Sequence, residues 1–338
     1  MISRRRVGGT SLVVVVGLAL ASLLGLAIGP APISPGDVAA ALVGRARSDL
    51  AATVVLELRL PRVLLAALAG GGLAVAGTAF QALTRNPLAD PAVLGVAGGA
   101  ALGAVAGHLW GLEGSLAGMV GLSAVAFAGA LLAAIIVYLI ATSGGSMPVQ
   151  TLLLAGVITG LFFSAVITLV VSLVDFAQLG GILHWLMGSL GIVGYRAVGV
   201  IAIGTAAGAG MIYAQARVLN LLALGEESAL QLGVEAERVK RVVFVGASLL
   251  TGVIVAQTGP IGFVGLIVPH GVRLAIGSDN RLLLPVAAGA GATFLVLADT
   301  LARVVIQPSE LPVGVVTAFC GAPFFVYLLR TRLRRRSP

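Results

Sequence analysis

One lysine, one cysteine and three histidines are all that these 338 residues hold of those types. The lone Cys320 excludes an internal disulfide and a multi-cysteine metal site. The lone Lys240 follows Val239, so the phosphate-binding loop GxxxxGK[ST] is absent. No HExxH, CxxC or GxSxG occurs either. His108, His184 and His270 fall on different segments. A lone histidine among membrane helices is read as a helix-packing hydrogen-bonder, so no metal site is expected.

Charge is the next scarcity. Only 10% of residues are charged, against about 25% in a soluble globular domain. Residues 114–174 contain no Asp, Glu, Lys or Arg, and neither do 63–84, 91–112, 242–272, 282–298 or 311–329. What fills these gaps is apolar, and hydrophobic residues make up 59% of the chain. About 20 apolar residues cross the hydrocarbon core. The pattern predicts an all-α polytopic membrane protein forming a single transmembrane domain, with residues 11–329 spanning the membrane. About ten transmembrane helices are expected, over 11–29, 63–83, 92–110, 116–141, 150–174, 193–215, 241–258, 261–276, 283–300 and 312–329. The first apolar run, Ser11 to Gly29, exceeds the 7–15 residues of a signal peptide core and is read as a retained helix.

An even helix count puts both termini on one side. With that side cytoplasmic, 15 basic residues lie inside and 6 outside. The inside set is Arg4, Arg5, Arg6, Arg85, Arg217, Arg238, Lys240, Arg241, Arg273, Arg281 and the arginines at 330, 332, 334, 335 and 336. Arg45, Arg47, Arg59, Arg62, Arg196 and Arg303 lie outside. The Lys/Arg rule then fixes the orientation. It also explains the net charge of +8 without nucleic acid.

Two segments stand outside the membrane pattern. Residues 30–62 form an outside loop opened by Pro30, Pro32 and Pro35. Residues 216–240 form the longest internal loop, too charged to insert, and read as short amphipathic helices broken at Gly225 and Gly233. Between the second and third helices, RNPLADP (85–91) makes a proline-bracketed inside turn. Pro87 and Pro91 disfavour helix before them, and Asn86 and Asp90 can satisfy freed backbone groups. Gly95, Gly99, Gly103, Gly107 and Gly111 then recur every fourth residue, which suits close helix packing within one subunit.

The helices suffice for a transporter, but no engine is visible. Asp175, Asp299 and Arg303 lie near helix ends rather than in mid-membrane, where coupled carriers keep ionisable groups. The chain is therefore a passive pore or secondary carrier, or it draws energy from another subunit docked on the 216–240 loop. An intramembrane enzyme has no residue constellation behind it. Arg59 and Arg62 in RLPR either snorkel at the interface or offer a patch to an acidic partner. Arg303 stands four residues after Asp299, a spacing suited to a local ion pair.

Several motifs together resemble one family, the FecCD-type permeases of ATP-binding cassette importers for iron-siderophores, haem and cobalamin. They are LRLPR (58–62), RNPLADPAVLGVAGGA (85–100), LLLAG (152–156), WLMGSL (185–190), LNLLALGEESALQLGV (219–234), GPIGFVGLIVPHGVRL (259–274), LADTLAR (297–303) and ELPVGVVTAFCGAPFF (310–325). The resemblance runs from about residue 55 to 330. It implies a cobalamin-importer-like permease fold in a bacterial inner membrane. It implies a second permease subunit, in a homodimer, two cytoplasmic ATPase subunits and a periplasmic or lipid-anchored substrate-binding protein. No cofactor is implied in this chain, ATP and Mg belonging to the ATPase. The substrate implied first is a ferric siderophore, with cobalamin or haem as alternatives. The resemblance assigns ATPase coupling to Leu221, Leu222, Ala223, Leu224, Gly225, Glu226, Glu227, Ser228, Ala229, Leu232 and Gly233. It assigns binding-protein docking to Arg59, Arg62 and Arg303, and a cytoplasmic gate to Val149, Gln150 and Thr151.

Overall fold

The structure, a computed structural model, describes residues 4–112, 116–191, 194–306 and 309–334. The side chains of Arg4, Arg5 and Arg6 and of the arginines from 330 onward, counted above for orientation, lie outside the described residues. The fold is all-α. Helix α1 spans Arg4–Ala27, followed by short α2, Pro35–Leu42. Helix α3, Asp49–Ala52, runs through a π-helical stretch, Thr53–Arg59, into α4, Leu60–Leu83, so that Asp49–Leu83 is one rod. A 3-10 turn, Pro91–Leu94, leads to α5, Val96–Leu109, and α6, Leu116–Ala141. Then come α7, Val149–Leu173, α8, Phe176–Leu186, and α9, Tyr195–Ala214. Two short helices follow, α10, Ala216–Leu222, and α11, Glu226–Gln231. The chain ends with α12, Ala236–Thr258, α13, Val264–Ile276, α14, Asn280–Ala302, and α15, Val313–Arg334.

The expectation of about ten membrane spans is corrected to seven helices long and apolar enough to cross, among the described residues. Three further apolar helices are shorter: α5, α13 and the Val313–Val326 part of α15. At 1.5 Å per residue α5 and α13 reach only about 20 Å, short of the roughly 30 Å hydrocarbon core. Local backbone explains both. The Pro91–Leu94 turn uses the residues expected to start α5. Helix α13 opens at Phe263, whose φ is 69°, and stops at Gly277, whose φ is 95°.

Two more expectations change. Residues 30–62 are not a plain loop, because α2, α3 and the π-helical stretch lie there. The second spanning helix starts at Asp49, not at residue 63. Helix α8 occupies a segment that carried no expected helix.

Burial divides the bundle into centre and periphery. The apolar windows of Asp49–Leu83, α12 and α14 are 83%, 78% and 61% buried, whereas those of α1, α6, α7 and α9 are 33% or less. The outer four therefore turn most of their apolar surface outward, as lipid contact requires. Helix α4 packs on α9, α12, α13 and α14. Small residues permit this closeness: a Cβ on Gly70 would overlap the Gly291 carbonyl, and one on Gly77 the Gly265 carbonyl. Four of the five ladder glycines pack within the subunit, whereas Gly111, past the end of α5, has no described neighbour within 4 Å. Gly99 faces Gly129, Gly103 faces Val125 and Gly107 faces Leu122, all on α6, and Gly95 faces Gly156 on α7.

Two prolines free backbone carbonyls that side chains then satisfy. Pro269 inside α13 has no N–H for Gly265, four residues earlier. Gln81 Nε2 donates to the carbonyls of Gly265 and Leu266 instead, at 3.3 and 3.2 Å. Arg273 in turn donates to Gln81 Oε1 at 2.8 Å. Pro61 likewise has no N–H for Leu56, five residues earlier in the π register, and the Tyr195 hydroxyl donates to that carbonyl.

Candidate functional site

The 216–235 segment gathers polar contacts at one end of the bundle. Gly225 and Gly233, at φ 130° and 78°, separate α10 from α11 and α11 from α12. Both angles lie where a Cβ is strained, so glycine sets these breaks. The expected broken, short-helix loop is present but ends at residue 235 rather than 240, because α12 already begins at Ala236. Leu222 and Ala229 are buried and Leu221, Gly225 and Glu226 half-buried. Ala223, Leu224, Glu227, Ser228, Leu232 and Gly233 are exposed, and Leu224 is 73% exposed. An amphipathic element thus buries one face in the bundle and offers leucines outward. Beside it lies a cleft of about 480 Å³ lined by Glu226, Leu230, Glu235, Glu237, Arg238 and Arg241 among others.

Two polar ties fix this segment. Asn220 on α10 donates from Nδ2 to Asp279 Oδ1 at 2.8 Å and accepts from the Asn280 backbone N–H at 2.8 Å. This holds α10 to the start of α14. The Arg281 side chain hydrogen-bonds Asp279 and holds its carboxyl well below the usual carboxylate range. The second tie runs through Lys240, whose ammonium lies 2.6 Å from Glu226 Oε1 and 2.7 Å from Glu237 Oε1. From the sequence, Lys240 serves to rule out a phosphate loop and to count among the inside basic residues. Its Glu237 partner, three residues earlier on one helix, was a readable signal; its Glu226 partner was not. The expected gate residues open α7, with Val149 and Thr151 half-buried and Gln150 exposed.

The expected docking arginines cluster at the opposite end, but their guanidinium groups are used inside the chain. Arg59 donates to the carbonyls of Leu26, Ala27 and Ala31 at 2.7, 3.0 and 2.5 Å. Arg303 donates to the Gly25 carbonyl at 3.0 Å, and its Nε lies 3.2 Å from Asp299 Oδ2. These two side chains therefore satisfy carbonyls in and just beyond the last turn of α1, which no helical N–H can reach. Arg62 pairs with Asp299 at 2.8 Å and with Glu310 at 2.7 Å. Asp299 and Arg303 form the ion pair that their spacing suggested, and both are buried. Glu310 had no signal in the sequence.

Between these ends, Leu186, Met187, Pro260, Val315, Phe319 and Pro323 line part of an apolar groove of about 580 Å³. Among the described residues no group of three or more His, Cys, Asp or Glu side chains converges as a metal site would require.

The FecCD transport family matches residues 17–331. The cobalamin import system permease protein BtuC of Halobacterium salinarum is 44% identical over 84% of this chain and 75% of its own. The vitamin B12 import system permease protein BtuC of Salmonella paratyphi A is 41% identical over 92% of this chain and 91% of its own. A solved inward-facing structure, assigned to the metal-chelate type of ABC transporter, superposes with a TM-score of 0.83 at 28% identity. It covers 96% of this chain and 99% of its own. The chain belongs to the FecCD transport family and is a permease subunit of an ATP-binding cassette importer, a transport subunit rather than an enzyme.

Proposed function

We propose that this chain is the permease of a cobalamin importer. Two copies form the path, two ATPase subunits drive it from the cytoplasm, and a binding protein delivers the corrinoid from outside. Alternating access at the dimer interface moves the ligand inward. The observation that carries the ligand is the likeness to two permeases named for cobalamin or vitamin B12 import, at 44% and 41% identity. On that ground cobalamin replaces the ferric siderophore expected first.

The exposed leucines and helix breaks of 221–233 support a contact with the ATPase. Leu221, Leu222, Ala223, Leu224, Gly225, Glu226, Glu227, Ser228, Ala229, Leu232 and Gly233 form this element, and both termini share its cytoplasmic side if the shorter α5, α13 and α15 cross with the seven long helices. Val149, Gln150 and Thr151 gate the path at the same end. At the outer end Arg62 is the docking contact, sharing its guanidinium with half-exposed Glu310. Arg59 and Arg303 support it from beneath. Rim charges of this kind act on association rate and orientation more than on affinity.

The test is uptake in a strain deleted for this gene, with labelled cyanocobalamin, a ferric siderophore and haem side by side. Loss of cobalamin uptake alone is the expected result. Loss of siderophore or haem uptake with cobalamin unaffected would overturn the ligand.

A further inference from the structure

Lys240 has three ammonium donors and three acceptors on three different elements. Glu226 belongs to α11, Glu237 to α12, and the Met147 carbonyl, 3.2 Å away, to the turn between α6 and α7. Glu237 completes the cluster, because its Oε2 accepts from the Met147 N–H at 2.8 Å. The Met147 peptide groups are thus held on both sides, and its side chain is fully buried. One residue further on, Pro148 has its φ fixed by the ring and accepts the Leu152 N–H in the first turn of α7. The path from Lys240 to Val149 is short and stiff.

Geometry and electrostatics then constrain movement. The Lys240 side chain is 4% exposed, and an ammonium in such a place is strongly disfavoured without its partners. Helix α11 packs on α10 and α12. If α11 shifts, Lys240 follows Glu226, or the buried charge loses a partner. Lysine suits this junction because its compact ammonium can direct donors toward separate elements, where the planar fork of arginine favours one flat partner.

We propose that Lys240 is the tie that carries displacement of α11 to the N-terminal end of α7. Lys240 and Glu226 are positioning residues for transport. The inference rests on the reading of 221–233 as the ATPase contact. It names the route by which force applied there reaches the gate.

The test uses the full chain with its ATPase subunit and binding protein in proteoliposomes. Lys240→Met removes the tie outside the ATPase-contact set and leaves Glu226 and Glu237, whose side chains are 40% and 33% exposed, open to water, so the fold is retained. The ATPase should still co-purify and hydrolyse ATP, while labelled cyanocobalamin moved per ATP falls about tenfold. Spin labels at exposed Leu230 and Gln150, in a Cys320→Ser background, give a second readout. In the parent chain their separation should hold through the nucleotide cycle. In Lys240→Met it should broaden and vary with nucleotide, which a merely stabilising ion pair would not cause. Unchanged transport per ATP and an unchanged label distance in an intact complex would overturn the tie. The underlying reading fails differently, by ATPase co-purification that ignores Leu224→Asp. The label distances still decide the tie in that case, and they decide it for any transported ligand.

Discussion

Gln81 Nε2 donates to the Gly265 carbonyl, the acceptor that Pro269 leaves without its helical partner. One side chain of α4 thereby repairs the interrupted ladder of α13 and also receives Arg273.

Gln81→Leu should therefore destabilise the bundle. It strands buried polar groups, each costing about 1–3 kcal/mol. Thermal unfolding in detergent should show a clearly lowered midpoint. A midpoint equal to the parent's would mean that other donors reach these carbonyls.

Gly103→Leu should lower the folded yield. A Cβ at Gly103 already overlaps the Val125 carbonyl on α6, whereas one at Gly17 on α1 meets nothing within 4 Å. Overpacking costs about 1–3 kcal/mol and occasionally more. Monodisperse protein recovered by size exclusion should fall for Gly103→Leu and hold for Gly17→Ala. Equal recovery would argue against close packing of α5 on α6.

The ladder was legible because a spacing of four turns Gly99, Gly103 and Gly107 toward one neighbour, α6. The long apolar helices were legible from charge-free runs, and the breaks at Gly225 and Gly233 from glycine itself. Other features depend on partners distant in the chain. Nothing near Arg59 indicates that it serves the carbonyls of Leu26, Ala27 and Ala31. Nothing near Lys240 indicates that Glu226 folds back to it. Helix α8 was hidden because Gly180, Gly181 and His184 dilute a short apolar stretch, and the early start at Asp49 because Glu57, Arg59 and Pro61 read as loop.

Arg59→Ala separates a supporting role from a free docking charge. It leaves the Leu26, Ala27 and Ala31 carbonyls without their donor, an expected loss of about 1–3 kcal/mol for each group left buried. The unfolding midpoint should drop even without a binding protein. An unchanged midpoint, with slower docking at low salt, would instead assign this guanidinium to the partner.

Leu224→Asp should disrupt the ATPase contact without harming the fold, since Leu224 is 73% exposed. The unfolding midpoint should match the parent, while co-purification of the ATPase falls. Gly225→Glu should lower both the unfolding midpoint and the co-purification, because φ 130° strains any side-chain-bearing residue by about 1–3 kcal/mol. Full co-purification with Leu224→Asp would remove this face from the interface.

ATP-driven accumulation in proteoliposomes is the decisive test of partner-driven cobalamin import. The full chain is reconstituted with its ATPase subunit and binding protein, and labelled cyanocobalamin is followed against a gradient. Accumulation is expected only when ATP and the binding protein are both present, and none with the permease alone. Flux through the isolated chain, or a complete complex that accumulates a ferric siderophore and not cobalamin, would contradict it.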